Sequence, residues 1–372
     1  MDAPRLRRFG LALLFAQVVA AVILWVTADG LSTPQGGRLG GDFPAFYAAG
    51  VAVLRGEIST LYDPAAQAAL QAPYVGPGGR AIVFPYPPPV AVAYGLFALL
   101  PFKTALLLHA LVMGGATALA GAWWVRRVGG APAHALLGAL ALLAFPPLFR
   151  ANFGGQNPGL TLLAVTGALA APGPVLQGLF LALSWFKPHY GLVLSVVVLV
   201  GLAEGRGRRF AGLSAGLLLG YLFAVPAAGW WWPRSWLADA LAFSQIDQGA
   251  DLARSISPGA WCRPPLDLAL GASLLALTLR WVGRRPERLP ALAPLAVLLS
   301  PPHVGWYDVG LAGLPLLLVG LRKLWVSLAF TACLVLPVLA TPPWTAGLTL
   351  TLLVLAAYVG LLGTSSPTSL RP

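Results

Sequence analysis

The chain is a succession of apolar runs separated by short stretches rich in proline, glycine and aromatic residues. Runs that reach or approach spanning length lie at 9–28, 103–125, 132–148, 157–171, 174–187, 189–203, 210–228, 265–283, 289–301, 304–320, 324–340 and 344–363. A straight membrane helix needs about 20 residues at a rise of 1.5 Å each. Several runs between 157 and 203 fall short of that, which predicts tilted, broken or re-entrant helices there. One further apolar piece, 88–100, is headed by prolines, and whether it crosses sets the topology of everything after it. The pattern shows no soluble domain, no repeat and no sustained heptads.

Composition agrees with a bilayer as solvent. Apolar residues make up 58% of the chain and charged residues 10%, against about 25% charged in soluble domains. The N-terminal basic residues and the apolar run behind them read as a retained first helix rather than a cleaved signal. Cys262 and Cys333 suggest neither a disulfide framework nor a metal site. The predicted architecture is therefore all-α: one integral membrane domain over 1–372 with about 12 transmembrane helices. It comprises a first span at 9–28, an outer loop at 29–87, a helical bundle over 103–228 and 265–363, and a second outer loop at 229–264.

The net charge of +12 changes the picture only through its distribution. If 88–100 does not cross and the N-terminus is cytoplasmic, 15 of the 24 basic residues fall inside, among them Arg126, Arg127, Arg206, Arg208, Arg209, Arg284, Arg285, Arg322 and Lys323. If 88–100 crosses, only 9 do. The positive-inside rule favours the first arrangement, with both termini cytoplasmic. The charge is then an orientation signal facing anionic lipid, not a nucleic-acid footprint.

Polar residues at membrane depth are costly and mark candidate sites. In this topology they gather on the outer face. The first cluster is Gly41-Asp42-Phe43-Pro44 with Phe46 and Tyr47, where Asp42 either caps a helix beginning at Pro44 or acts as a general base. The segments 44–55 and 64–72 are amphipathic and suit the membrane interface. The second is Phe84-Pro85-Tyr86-Pro87-Pro88, a stiff entry with Tyr86 at a cavity mouth. The third is Arg150 through Asn157-Pro158, either a polar turn capped by Asn157 or a binding turn for sugar hydroxyls or phosphate. The fourth is Trp185-Phe186-Lys187-Pro188-His189-Tyr190, where Lys187 either snorkels or holds a phosphate. The fifth is Ser300-Pro301-Pro302-His303 with Trp306-Tyr307-Asp308. His109 and His134 read as packing residues, and Trp230-Trp231-Trp232 as an interface belt. No phosphate-binding loop, dinucleotide fingerprint, zinc-protease motif or nucleophile elbow is present.

The order of these motifs resembles glycosyltransferase family 87, the polyprenyl-phosphate-mannose-dependent mannosyltransferases of the GT-C superfamily, and most closely its proteobacterial branch. The resemblance runs over about residues 40–320. It is carried by Asp42 with Phe46-Tyr47-Ala48-Ala49-Gly50, then Leu54-Arg55-Gly56, Leu61-Tyr62-Asp63-Pro64, Tyr86-Pro87-Pro88, Gly155-Gln156-Asn157, Phe186-Lys187-Pro188, Ser300-Pro301 and Tyr307-Asp308. It implies a GT-C-type bundle whose first outer loop carries juxtamembrane helices and the catalytic carboxylate, here Asp42. Lys187 and Arg150 would hold the donor phosphate. Tyr47, Tyr86, Gln156, Asn157, His189, His303 and Asp308 would bind sugar and acceptor. His303 lies in the late region where family members use a histidine, although its order relative to Trp306 departs from the mycobacterial pattern. The implied partners are a polyprenyl phosphate sugar donor, a lipid or glycan acceptor and membrane lipids. The implied setting is the bacterial inner membrane with the site facing the periplasm. Basic groups can stabilise a phosphate leaving group, so no metal or other cofactor is expected. The rival reading is a secondary transporter or flippase, or a scaffold for envelope enzymes. Clustering of polar groups at one face, rather than at broken helices at midplane, favours the enzyme.

Overall fold

The computed structural model describes residues 3–34, 37–75, 81–128, 130–246, 257–258, 265–320 and 354. The described chain is helical, with only isolated bridges linking Asp29, Ser32 and Arg38 in the first loop. Its helices are α1 (Ala3–Thr27), α2 (Phe43–Leu54), α3 (Pro64–Val75), α4 (Pro88–Ala98), α5 (Phe102–Arg127), α6 (Pro132–Leu143), α7 (Pro146–Phe153), α8 (Pro158–Ala170), α9 (Pro174–Ser184), α10 (Pro188–Gly201), α11 (Arg206–Ala228), α12 (Trp232–Ile246), α13 (Leu266–Arg284), α14 (Leu289–Leu299) and α15 (Gly313–Gly320).

Among the described residues, four helices are long and apolar enough to cross a bilayer: residues 7–27 of α1, then α5, α11 and α13. A fifth candidate is α6 with α7, bent by 62° at Ala144-Phe145. The remaining apolar runs fold as helices of 8 to 14 residues, about 12–21 Å long at 1.5 Å per residue. The expectation of about 12 full spans therefore meets a smaller number of long helices and a set of half-length ones. The cause is proline: Pro88, Pro132, Pro146, Pro158, Pro174 and Pro188 each start a helix, where the missing N–H does no harm. The same residue would break a helix continuing through it. The expected spans 324–340 and 344–363 lie outside the described residues.

Long helices carry apolar side chains outward, as a lipid-facing surface requires: Phe15 and Val26 on α1, Leu111 on α5, Leu218 and Leu219 on α11. Helix crossings are close where small residues meet. Gly121 of α5 faces Gly138 of α6, and Gly178 of α9 faces Gly212 of α11, with no room for a Cβ at either crossing.

Two apolar clusters organise the interior. The larger joins α5, α8, α10 and α14, and Trp124 anchors it by donating its indole N–H to the Leu314 carbonyl at 3.0 Å. The smaller is aromatic and joins α2, α4 and the start of α5 through Phe43, Phe46, Tyr94 and Phe102. Here the structure departs from the sequence pattern. The segment expected to lie along the interface, α2, is buried on nearly every side, from Phe43 through Gly50. Its partner is α4, and at Gly50 the backbones come close enough that an added Cβ would strike Tyr94 and Gly95. Helix α3 does keep most of its surface exposed.

Candidate active site

The first loop returns to the bundle at a backbone stitch. Asp42 N–H donates to the Gly154 carbonyl at 3.1 Å, and Phe43 N–H closes the turn on Gly40 at 2.8 Å. Gly155 makes this approach possible: its φ is +75°, and a Cβ there would lie 2.5 Å from the Phe43 Cβ and 2.6 Å from the Gly40 carbonyl oxygen. The stitch brings the start of α2 against the start of α8.

Asp42 and Asn157 occupy the N-cap positions of those two helices, yet neither side chain caps its helix. The Asp42 carboxylate instead accepts a hydrogen bond from the Gln156 side-chain amide. Asn157 accepts one from the Tyr94 hydroxyl of α4 at 2.5 Å. The Tyr94 oxygen also lies 2.8 Å from His109 Nε2 of α5, which is itself 3.3 Å from Asn157 Oδ1. Gln156, Asn157, Tyr94 and His109 are all buried, at 6%, 1%, 6% and 0% exposure, whereas Asp42 is partly exposed.

A second centre sits at the start of α10. Lys187 Nζ donates to both Asp308 oxygens, at 2.6 and 2.8 Å, and Tyr190 O–H donates to the same carboxylate at 2.8 Å. Lys187 and Asp308 are 4% and 2% exposed. The ammonium also lies 5.0–5.8 Å from the ring centres of Tyr190, Tyr307 and Phe186, a favourable placement for a desolvated cation.

Tyr86 joins the two centres. Its ring lies parallel to Phe186 at 6.4 Å and packs on Phe46 at 4.9 Å. Its backbone carbonyl is held by the Tyr62 hydroxyl at 2.8 Å. Burial, followed by the charges of Asp308 and Asp42, pushes the Tyr86 phenol well above its ordinary range. It therefore stays neutral and able to donate a hydrogen bond. Asn157 is also within its polar reach.

These contacts bring together Asp42, Tyr86, Gln156, Asn157, Lys187 and Asp308. Arg150 lies exposed on α7, at the turn that ends in Gly154. His189 is exposed at the start of α10, its ring 4.3 Å from that of Tyr190, within electrostatic reach of Lys187 and His303. His303 is exposed in the loop before Asp308. Tyr47 stands apart: its hydroxyl donates to the Leu100 carbonyl at 2.7 Å within the aromatic cluster of α2. Among the described residues, no group of His, Cys, Asp and Glu is arranged to hold a metal ion.

The family model of glycosyltransferase family 87 matches residues 84–301. The chain belongs to that family. No curated protein and no solved structure matches it. Family 87 membership makes the protein a membrane glycosyltransferase, an enzyme that moves sugar from a donor to an acceptor. The matched region contains Tyr86, Arg150, Gln156, Asn157, Lys187 and His189, while Asp42, His303 and Asp308 reach the site from either side of it.

Four residues at this candidate site escaped the sequence reading. Tyr94 and His109 lie within apolar helices and look like packing residues until their shared hydrogen bonds are seen. Tyr190 is an ordinary aromatic by pattern. Arg38 is buried enough that desolvation lowers its pKa, although Asp42 opposes the shift, and its buried Nη1 has no hydrogen-bond partner. Its signal, an arginine four residues before the loop carboxylate, was visible but unremarkable.

Proposed function

We propose that this enzyme transfers a hexose, mannose in the simplest case, from a polyprenyl phosphate donor to a hydroxyl of a lipid or glycan acceptor with inversion. Asp42 is the general base. The observation that carries this reading is the hydrogen bond from Gln156, which draws the Asp42 carboxylate off its capping position and orients it among buried polar groups. The acceptor O–H proton passes to Asp42 as the acceptor oxygen bonds to the anomeric carbon. The bond from that carbon to the phosphate oxygen breaks, and polyprenyl phosphate leaves with the electron pair.

Positive charge near the departing phosphate favours this step. Arg150 and Lys187 supply it in this reading. An ammonium has three N–H donors; Asp308 takes two from Lys187, and the third serves a phosphate oxygen. Tyr86 donates its phenol to the sugar between the two centres, beside Gln156 and Asn157. His189, His303 and Asp308 form the acceptor side, and Tyr47 acts through the aromatic wall that holds α2. The proposed setting is the plasma membrane with both termini cytoplasmic and the site open to the outer face. Cysteines at positions 42 and 303, which the structure leaves accessible, should then react with an impermeant maleimide added from outside.

The test is sugar transfer by the purified full-length protein in nanodiscs, from radiolabelled polyprenyl phosphate mannose into a membrane-lipid extract. Label entering a new product in wild type but not in Asp42→Asn supports the reading. Transfer at the wild-type rate by Asp42→Asn would remove the general base. No transfer from this donor, or from other polyprenyl phosphate sugars, would remove the donor class.

A further inference from the structure

The neighbouring amides of Gln156 and Asn157 each commit one atom to the protein and leave the other buried without a partner: Gln156 Oε1 and Asn157 Nδ2. The orientation of Gln156 is fixed by its partner. A carboxylate only accepts, so the Gln156 atom facing Asp42 is the NH2 group, and the oxygen is left over.

Asn157 is subtler, because the Tyr94 hydroxyl that meets it can donate or accept. Two chains of hydrogen bonds are self-consistent. In one, His109 Nε2–H donates to the Tyr94 oxygen, Tyr94 O–H donates to Asn157 Oδ1, and Nδ2 is left over. In the other, every proton is reversed: Asn157 donates to Tyr94, Tyr94 donates to a bare Nε2, and His109 carries its proton on Nδ1. The discriminating observation is the Asn157 amide itself: its oxygen, not its nitrogen, lies 2.5 Å from the Tyr94 oxygen, and Nδ2 is the atom left without a partner. An amide oxygen only accepts, so Tyr94 O–H donates to it, and the Tyr94 oxygen is left to accept from His109 Nε2–H. The first chain is therefore the one the structure holds.

We propose that His109 and Tyr94 are positioning residues whose tautomer and hydroxyl direction fix Asn157 with its NH2 group toward the substrate. Beside it, Gln156 presents an oxygen. The pair forms a clamp of one donor and one acceptor, matched to neighbouring hydroxyls on the transferred sugar, one accepting from Asn157 and the other donating to Gln156. This inference rests on the glycosyltransferase reading for the identity of the ligand. It does not rest on it for the state of the network.

Two measurements on the full-length protein in nanodiscs test it. The first uses 15N-histidine labelling, which reports the tautomer of each of the four histidines, with His109→Gln assigning the resonance. His109 protonated on Nε2 is expected; protonation on Nδ1 overturns the proposal whatever the enzyme transfers. The second compares variants with polyprenyl phosphate mannose as donor. Tyr94→Phe frees the Asn157 amide and should raise KM for the donor about tenfold, the equivalent of one hydrogen bond, with kcat within about threefold of wild type. His109→Gln, whose amide N–H can replace Nε2–H, should stay near wild type, and His109→Leu should match Tyr94→Phe. A loss confined to kcat, no change in Tyr94→Phe, or equal damage from His109→Gln and His109→Leu would overturn the positioning role. If wild type transfers no sugar from any polyprenyl phosphate donor, the donor class fails, and the network is decided by the tautomer alone.

Discussion

Lys187 and Asp308 are 121 residues apart in sequence and form a bidentate ion pair of 2.6 and 2.8 Å, almost wholly removed from solvent. The pair ties the start of α10 to the turn before α15, and Tyr190 adds a third hydrogen bond. Removing one member of such a pair leaves an uncompensated buried charge, at a cost on the order of 3–5 kcal/mol. Lys187→Met is therefore expected to lower the thermal unfolding midpoint of the detergent-solubilised protein substantially. Lys187→Met combined with Asp308→Leu should recover much of that loss. A single variant as stable as wild type would show that the pair contributes nothing to the fold.

Asp42 and Gln156 separate chemistry from orientation. Asp42→Asn removes the proposed base but keeps a group that can meet Gln156, so it should lower kcat at least about 100-fold with little change in the unfolding midpoint. Gln156→Leu keeps the base but frees it and removes the oxygen offered to the sugar, so a loss of about tenfold in kcat and a rise of about tenfold in KM are expected, one hydrogen bond each. Steady-state transfer assays on both variants check this. Equal losses in kcat would mean that the hydrogen bond from Gln156 matters as much to the chemical step as the carboxylate itself.

The lipid-facing surface makes its own prediction. Phe15, Leu111 and Leu219 are 70%, 64% and 64% exposed, on three of the long apolar helices. In liposomes they should be labelled by a membrane-dissolved carbene reagent, whereas Leu106 and Leu213, at 1% and 5% exposure, should not. Peptide mapping by mass spectrometry reads the result. Labelling of Leu106 to the same extent as Leu111 would contradict the packing of α5.

Much of this architecture was legible in the sequence, because the hydrophobic pattern reports burial in either protein or lipid. Helices α5, α11 and α13 fall close to the predicted runs 103–125, 210–228 and 265–283. The same pattern cannot tell lipid from protein as the apolar partner. That is why α2 read as an interfacial helix when α4 in fact covers it, and why half-length helices read as spans. The residues that the structure brings together were legible where polar residues interrupt apolar runs, at Asp42, Tyr86, Gln156, Asn157, Lys187 and Asp308. It was hidden where the polar group sits inside a helix, as His109 and Tyr94 do, because only three-dimensional pairing distinguishes them from packing residues. Asp42 and Asn157, read as cap or site, both hold the cap position and turn their side chains elsewhere.

Gly155 tests whether the loop stitch is what assembles the site. Its φ of +75° costs an L-residue about 1–2 kcal/mol by itself. Gly173, at φ +86° and ψ 148°, sits in a backbone region nearly exclusive to glycine but has nothing within 4 Å of the position a Cβ would take. The two glycines thus separate strain from steric approach. Gly173→Ala should lower the unfolding midpoint through backbone strain alone and leave transfer near wild type. Gly155→Ala adds a clash with Phe43 and the Gly40 carbonyl, atoms of the turn that carries Asp42. Relief of that clash has to move the turn away from α8, which separates Asp42 from Gln156. Transfer should then fall towards the level of Asp42→Asn, which Gly173→Ala does not show. If the two alanine variants behave alike in both assays, backbone strain alone explains the glycine, and contact between the first loop and α8 does not assemble the site.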